Sequence, residues 1–251
     1  RFTMKSGLAN MMYGLLLYLP CCRLLPIMLA FIIRIFRSTM YGRKKGIAMG
    51  MLHFVSTGRQ TADEFAAVCQ HIHPYADAIH IREKEKTARE VAAFVTALLR
   101  VGVPPQKIIV NDRVDVAAVY GVHGVQLAYH SLPVRAVRRS FPSLAVGCSV
   151  HGLSEAKRAE EDGAHFCLFG HVFPSSSKPG LPPRGVNLLK EIAAAVHIPV
   201  IAIGGIHAGN ACQALEAGAA GVAVLSAVFF AADPVGEAKR LAEMVKGERI
   251  R

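Results

Sequence analysis

Three groups of residues in the 251-residue sequence have types and spacing suited to chemistry. The first is His151, directly after the apolar run Val146-Gly-Cys-Ser-Val150. An imidazole titrates near neutrality, so a histidine at a strand end can take up and return a proton. The second is Gly204-Gly205, closing the run Ile201-Ala-Ile, together with Leu225-Ser226, closing Ala223-Val224. Glycines let backbone N–H groups approach an anion, and a helix starting at Ser226 would add a favourable dipole. The third is basic: Arg82 and Lys84 after Ile79-His-Ile81, and Lys178 and Arg184 bounding a Pro- and Ser-rich loop. These side chains can steer or hold an anionic substrate. Other chemistries find no support. His71 and His73, in HxH spacing, fall near a predicted helix end, and no HExxH occurs, so a protein-held transition metal has little support. No GxSxG or serine–histidine–acid set suggests a hydrolase. The six cysteines form no CxxC pair, which argues against a zinc ribbon or disulfide scaffold.

The elements that must position these residues are legible from Met51 onward. Short β-branched or apolar runs alternate with stretches of helical periodicity. Strands are predicted at 52–55, 78–81, 107–110, 124–127, 145–149, 166–169, 200–203 and 221–224. Helices are predicted at 62–72, 88–99, 114–118, 133–139, 154–161, 186–195, 210–216 and 234–244. Near-continuous apolar strands, each followed by an amphipathic helix, indicate a parallel sheet covered by helices. Eight such units fit an α/β fold of the compact (β/α)8 TIM-barrel type in a single domain. A doubly wound open sheet is the runner-up, but no glycine-rich dinucleotide fingerprint follows the first strand.

In a barrel of this type the chemistry lies at the carboxyl ends of the strands, and loops seven and eight hold phosphate. That rule brings His80, Arg82, Asn111, Asp112, Gln126, Ser149, His151, His171, Gly204, Gly205 and Ser226 to one mouth. The long 174–184 connection has the character of a lid.

The first 48 residues are of another kind. They carry eight basic residues and no acidic one, whereas the rest of the chain is nearly balanced at +3 of the total formal charge of +11. Two apolar runs, at 8–22 and 24–33, are each shorter than the roughly 18 residues of a clean membrane span. This stretch reads as an apolar, basic extension ahead of a barrel domain over 49–251. It is either sequence upstream of a start near Met49 or Met51, a targeting leader, or a membrane segment touching lipid through residues 8–36. The barrel is expected in the cytoplasm, anchored to a membrane facing it only if the extension is native. Without a basic stripe interleaved with aromatics, no nucleic-acid partner is expected.

Seven motifs in order carry a family resemblance over about 51–247: Ile79-His-Ile-Arg-Glu83, Val110-Asn-Asp-Arg-Val-Asp115, Gly147-Cys-Ser-Val-His-Gly-Leu153, Leu168-Phe-Gly-His-Val-Phe173, Lys178-Pro-Gly-Leu181, Arg184-Gly-Val186 and Pro199-Val-Ile-Ala-Ile-Gly-Gly205. They resemble the thiamine phosphate synthase/TenI superfamily, and within it the TenI branch of thiazole tautomerases. Synthases of the superfamily join an aminopyrimidine pyrophosphate to a thiazole phosphate and hold Mg²⁺ on two aspartates. The first matches Asp112; where the second stands in Gly-Gln-Glu-Asp, this chain has Ala128-Tyr-His-Ser131. His80 stands where a synthase has glutamine, and Gly170-His171 where it has Gly-Pro. The resemblance therefore implies an isomerase of thiamine biosynthesis, with His151 as acid/base in aromatising a carboxythiazole phosphate. Gly204, Gly205, Leu225 and Ser226 would hold the phosphate, and His80, Arg82, Asn111, Ser149 and Lys178 would hold the ring and carboxylate. No cofactor is expected, and Mg²⁺ on Asp112 only for the alternative, a synthase. A second alternative is a non-catalytic binder of phosphate ligands. The expected partner is a phosphorylated thiazole, and the expected assembly a homo-oligomer.

Overall fold

The computed structural model describes residues 50–247 apart from 176, 177 and 179. The 1–48 extension therefore lies outside the described residues.

The chain alternates strand and helix from β1 (Met51–Val55) and α1 (Ala62–Ile72) through β2 (Ala78–Ile81) and α2 (Ala88–Arg100). A 3-10 turn at Pro105–Lys107 leads to β3 (Ile108–Asn111), then α3 (Val114–Val119), β4 (Gly124–Leu127) and α4 (Val134–Ser140). The second half runs β5 (Ala145–Val150), α5 (Leu153–Glu161), β6 (Phe166–Gly170), α6 (Gly185–Ala195), β7 (Val200–Ile203), α7 (Ala211–Glu216) and β8 (Gly221–Val224). A one-turn helix, α8 (Ser226–Phe229), and α9 (Pro234–Lys246) finish it. The strands pair in parallel, in sequence order, and β8 closes on β1. The (β/α)8 barrel predicted from periodicity is the observed fold. Four strands match the predicted bounds; β1, β5 and β6 run one residue longer at one end, and β3 is shifted by one residue because Lys107 belongs to the preceding 3-10 turn.

Local chemistry sets the helix starts. Thr61 accepts from the Glu64 N–H while the Glu64 carboxylate accepts from the Thr61 N–H. Thr87 and Glu90 repeat this reciprocal cap on α2. Asp233 caps α9, Pro234 occupies its first turn, and Gly247 ends it in the left-handed region.

Strand alternation sorts the side chains into two cores. Leu52, Phe54, Ile79, Ile81, Val110, Val125, Val146 and Phe169 point outward and pack under the helices. Val55, Ala78, Ile109, Phe166, Leu168, Ile201 and Ala223 fill the barrel interior. The period of two then assigns inward parity to His53, His80, Asn111, Gln126, Ser149 and, one step beyond β5, His151. The interior is thus divided. A polar arc runs along β1 to β5, and an apolar wall covers β6 to β8. Gly147 makes room at the seam, since a Cβ there would lie 2.3 Å from both Gln126 Oε1 and the Phe166 ring.

Candidate active site

The phosphate cradle predicted after β7 and β8 is built on two glycines with positive φ, 98° at Gly204 and 67° at Gly205. A Cβ on Gly204 would come within 2.2 Å of His171 Cβ, and one on Gly205 within 2.3 Å of the Pro174 carbonyl oxygen. Only glycine fits either place. The turn is held by its carbonyls: Phe173 N–H donates to Gly204 O at 3.0 Å, and Asn210 Nδ2 donates to Gly205 O at 2.9 Å. That leaves the N–H groups outward. Among the described residues, those of Gly205 and Ser226 find no backbone acceptor. Leu225 precedes α8, whose single turn adds little dipole; the cradle works through its N–H groups.

A second set of donors lies at the same end of the barrel. Arg82 and Lys84 follow β2, and Lys178 and Arg184 belong to the loop after β6. Lys178 is half-buried, and burial, then Arg184, Arg82 and Lys84, push its ammonium below its ordinary pKa. Burial likewise lowers that of Arg82. Among the described residues, no carboxylate pairs with any of these four cations. The base of the group is braced: Ser56 Oγ donates to Glu83 Oε1 at 2.7 Å and accepts from the Arg82 N–H at 2.8 Å, and Lys86 lies 3.4 Å from Glu83 Oε2. The loop is tied back to β6, with Arg184 N–H donating to His171 O and His171 Nε2 to Leu181 O at 3.3 Å.

His151 is held from two sides. Its N–H donates to Glu155 Oε2 at 2.6 Å, and its Nδ1 donates to Gly170 O at 2.8 Å. A carbonyl accepts only, so Nδ1 carries a proton, and in the neutral ring Nε2 is the bare nitrogen. Gln126 Nε2 donates to Ser149 Oγ at 3.0 Å. His80 Nδ1, Asn111 Oδ1 and Gln126 Oε1 are buried without a hydrogen-bond partner, each on the inward face of its strand. Such atoms are costly unless a ligand or water completes them. Asp112 stands exposed after β3 with φ 66°, a conformation aspartate tolerates, its N–H donating to Gln126 O at 2.9 Å.

All the predicted site residues are therefore brought to one mouth. Sequence reasoning missed His53, whose Nδ1 lies 3.0 Å from His80 Nε2 inside the barrel, and the Ser56–Glu83 brace. His53 shares inward parity with Val55, and that alternation is the signal that finds it.

The donor set does not make a Mg²⁺ site of the expected kind. Mg²⁺ is usually held by one or two carboxylates plus substrate phosphates. Asp112 is a single carboxylate, and the loop Ala128–Ser131 offers Tyr129, His130 and Ser131 instead of a second. Among the described residues no group of three or more His, Cys, Asp or Glu is placed to hold a metal ion. Likewise, none of the described helices is long and apolar enough to cross a membrane.

Comparison with known proteins gives the family. The sequence model of the thiamine monophosphate synthase family matches residues 52–228. The thiamine-phosphate synthase of Roseiflexus sp. (strain RS-1) is 40% identical over 201 residues, which cover 76% of this chain and 84% of that protein. That of Pyrococcus abyssi is 35% identical over 194 residues, 77% of this chain and 94% of the relative. Among solved structures, thiamine phosphate pyrophosphorylase from Pyrococcus furiosus superposes with a TM-score of 0.68 at 32% identity, covering 78% of this chain and 96% of that one. A 3-hexulose-6-phosphate synthase, at 16% identity and a TM-score of 0.63, shares the fold.

These relatives overturn the isomerase reading. They are synthases, that is transferases, and the site supplies the physical reason. The cations Arg82, Lys84, Lys178 and Arg184 at this end of the barrel suit an anion of higher charge than a monophosphate. The missing second carboxylate points toward the isomerase branch, whereas the cations that remain fit the synthases.

Proposed function

The chain belongs to the thiamine monophosphate synthase family, and from that premise we propose that it joins two phosphorylated heteroaromatic substrates as a transferase of the thiamine-phosphate synthase type. The observation that carries this reading is the pair of separate anion sites at one mouth. The glycine cradle of Gly204, Gly205, Leu225 and Ser226 suits a phosphate monoester. The four unpaired cations suit the greater charge of a pyrophosphate.

In this reading the thiazole phosphate is anchored at the cradle, against the apolar wall of Leu168, Ile201 and Ile203. The aminopyrimidine lies toward the polar arc, where Asn111, Gln126 and Ser149 meet its ring edge. A lone pair of the thiazole attacks the carbon that bears the pyrophosphate. One C–O bond breaks, and pyrophosphate leaves with the bonding electrons. Arg82, Lys84 and Lys178 stabilise the charge on that leaving group, which grows in the transition state and so lowers the barrier. No proton is transferred in this step, and His151 Nε2 serves as a fixed acceptor that orients a substrate. Binding both rings in one mouth supplies the proximity that the bond-forming step requires.

The test is a titration of pyrophosphate into the full chain, with and without saturating thiazole phosphate. Near-equal affinity in the two titrations is expected. Mutual exclusion would overturn the two-site reading. A second reading, a non-catalytic binder of phosphate ligands, is favoured by the loop Ala128–Ser131, which lacks the second carboxylate. It predicts binding of both ligands without product.

A further inference from the structure

An open cavity of about 410 Å³ lies at the mouth end but outside the barrel, between the β1–α1 loop and the first turns of α2. A cavity of this size takes one ring bearing a small charged group. Phe94 forms its floor and is fixed there by Phe65 of α1, 5.9 Å away between ring centroids. The loops after β1 and β2 supply one cation each. The Arg59 guanidinium lies 5.7 Å from the Phe230 ring centroid, and Lys86 Nζ lies 5.6 Å from that of Phe94. Among the described residues, Glu90 is the one carboxylate that lines the cavity, and its Oε2 already accepts from the Thr87 N–H and Thr87 Oγ, both at 2.7 Å. Glu64 is likewise turned back onto the Thr61 N–H. Both helix ends are thus capped from within, and the two cations are what remains for a ligand. Among the described residues no carboxylate pairs with Arg59, so the cavity favours an anion.

Lys86 also joins the cavity to the mouth. Its Nζ lies 3.4 Å from Glu83 Oε2, while Glu83 Oε1 accepts from Ser56 Oγ, which in turn accepts from the Arg82 N–H. Gly58, on the cavity wall, backs the Arg82 carbonyl: a Cβ there would lie 3.9 Å from that oxygen. The Glu83 carboxylate acts on Arg82 through its charge. With Lys86 drawn into the cavity, that charge is less offset, and an anion on Arg82 is repelled.

We propose that this cavity is a separate, regulatory site for a small organic anion, a phosphate or carboxylate on a flat ring, held between Arg59 and Lys86. Its occupant pulls Lys86 from Glu83 and so weakens anion binding at Arg82. The effect is reciprocal: an anion on Arg82 weakens binding in the cavity by the same factor. The coupling rests on the proposed function above, which puts pyrophosphate on Arg82; the cavity site does not.

The test uses phenyl phosphate as the probe and the full chain. Calorimetric titration is expected to show one phenyl phosphate site in the native protein that Arg59→Ala weakens about tenfold, the worth of one charged contact. Pyrophosphate is then titrated with and without saturating phenyl phosphate. Its affinity is expected to fall roughly five- to tenfold further in the native chain than in Arg59→Ala. Lys86→Met, which leaves Glu83 without its outer partner, is expected to bind pyrophosphate more weakly even without the probe. Equal phenyl phosphate binding by the native chain and Arg59→Ala would overturn the cavity site. An equal fall in pyrophosphate affinity in both would mean competition at the mouth and would overturn the coupling, as would no fall in the native chain. A native chain that binds no pyrophosphate would sink the proposed function and the coupling with it, and the phenyl phosphate comparison would still decide the cavity.

Discussion

His151 Nδ1 donates to the Gly170 carbonyl at 2.8 Å, which ties the end of β5 to the end of β6 and fixes which ring nitrogen is bare. The bond, with that from the His151 N–H to Glu155, holds the residue in place. In the proposed transfer its Nε2 is an acceptor, so His151→Gln is expected to raise a substrate KM roughly tenfold while kcat stays within about threefold, as for loss of one hydrogen bond. A fall in kcat of ~10²–10⁴ would instead signal proton transfer.

The cradle gives a sharper expectation. Gly204→Ala places a methyl group 2.2 Å from His171 Cβ, at a φ of 98°. The fold is expected to lose ~1–3 kcal/mol, from strain and the contact. Inorganic phosphate should then no longer raise the melting temperature, while pyrophosphate still does. Retained stabilisation by phosphate would place its site elsewhere.

The cation group predicts a pH dependence. Lys178 loses its proton below the usual lysine value, because burial and the charges of Arg184, Arg82 and Lys84 disfavour its cation. Pyrophosphate affinity is therefore expected to weaken as pH rises into the alkaline range below 10.5, with Lys178 as the group that titrates. Lys178→Arg, which keeps its charge there, should flatten the profile. Calorimetric titration across that range reads the difference, and an unchanged profile would remove Lys178 from the site.

Ser56 is fully buried and bonded both to Glu83 and to the Arg82 N–H. Ser56→Ala leaves one carboxylate oxygen and one backbone donor short of a partner. A cost of ~1–3 kcal/mol is expected in chemical denaturation. KM for the pyrophosphate substrate should rise with it, because Arg82 loses its brace.

The fold was legible because eight apolar runs, separated by amphipathic stretches, leave few other ways to bury their surfaces. The cradle was legible for a related reason: at Gly204 and Gly205 nothing but glycine fits. His53 was not, because a histidine among Leu52, Phe54 and Val55 reads as core until strand parity puts it inside the barrel. The choice of reaction turned on contacts that residue types do not reveal. Arg82 and Lys178 are distant in the chain, and only the fold shows them grouped, with no carboxylate paired to either among the described residues. Tyr129 and His130, by contrast, stand exposed in the loop that lacks a second carboxylate.

Ser131 occupies the place where the family pattern has aspartate, and its Oγ accepts from the Ala128 N–H at 2.8 Å. An aspartate can make the same bond. Ser131→Asp is therefore expected to fold normally and to make product formation more dependent on Mg²⁺ than in the native chain. Equal dependence in the two proteins would show that the loop does not set the metal requirement.

The most direct measurement mixes the full chain with aminopyrimidine pyrophosphate and thiazole phosphate, with and without Mg²⁺, and follows joined product and released pyrophosphate together. The account predicts that the two appear in equal amounts, only when both substrates are present, and that Arg82→Ala suppresses them. Binding of both substrates with no product under either condition would contradict it and leave a protein that kept its anion sites without the chemistry.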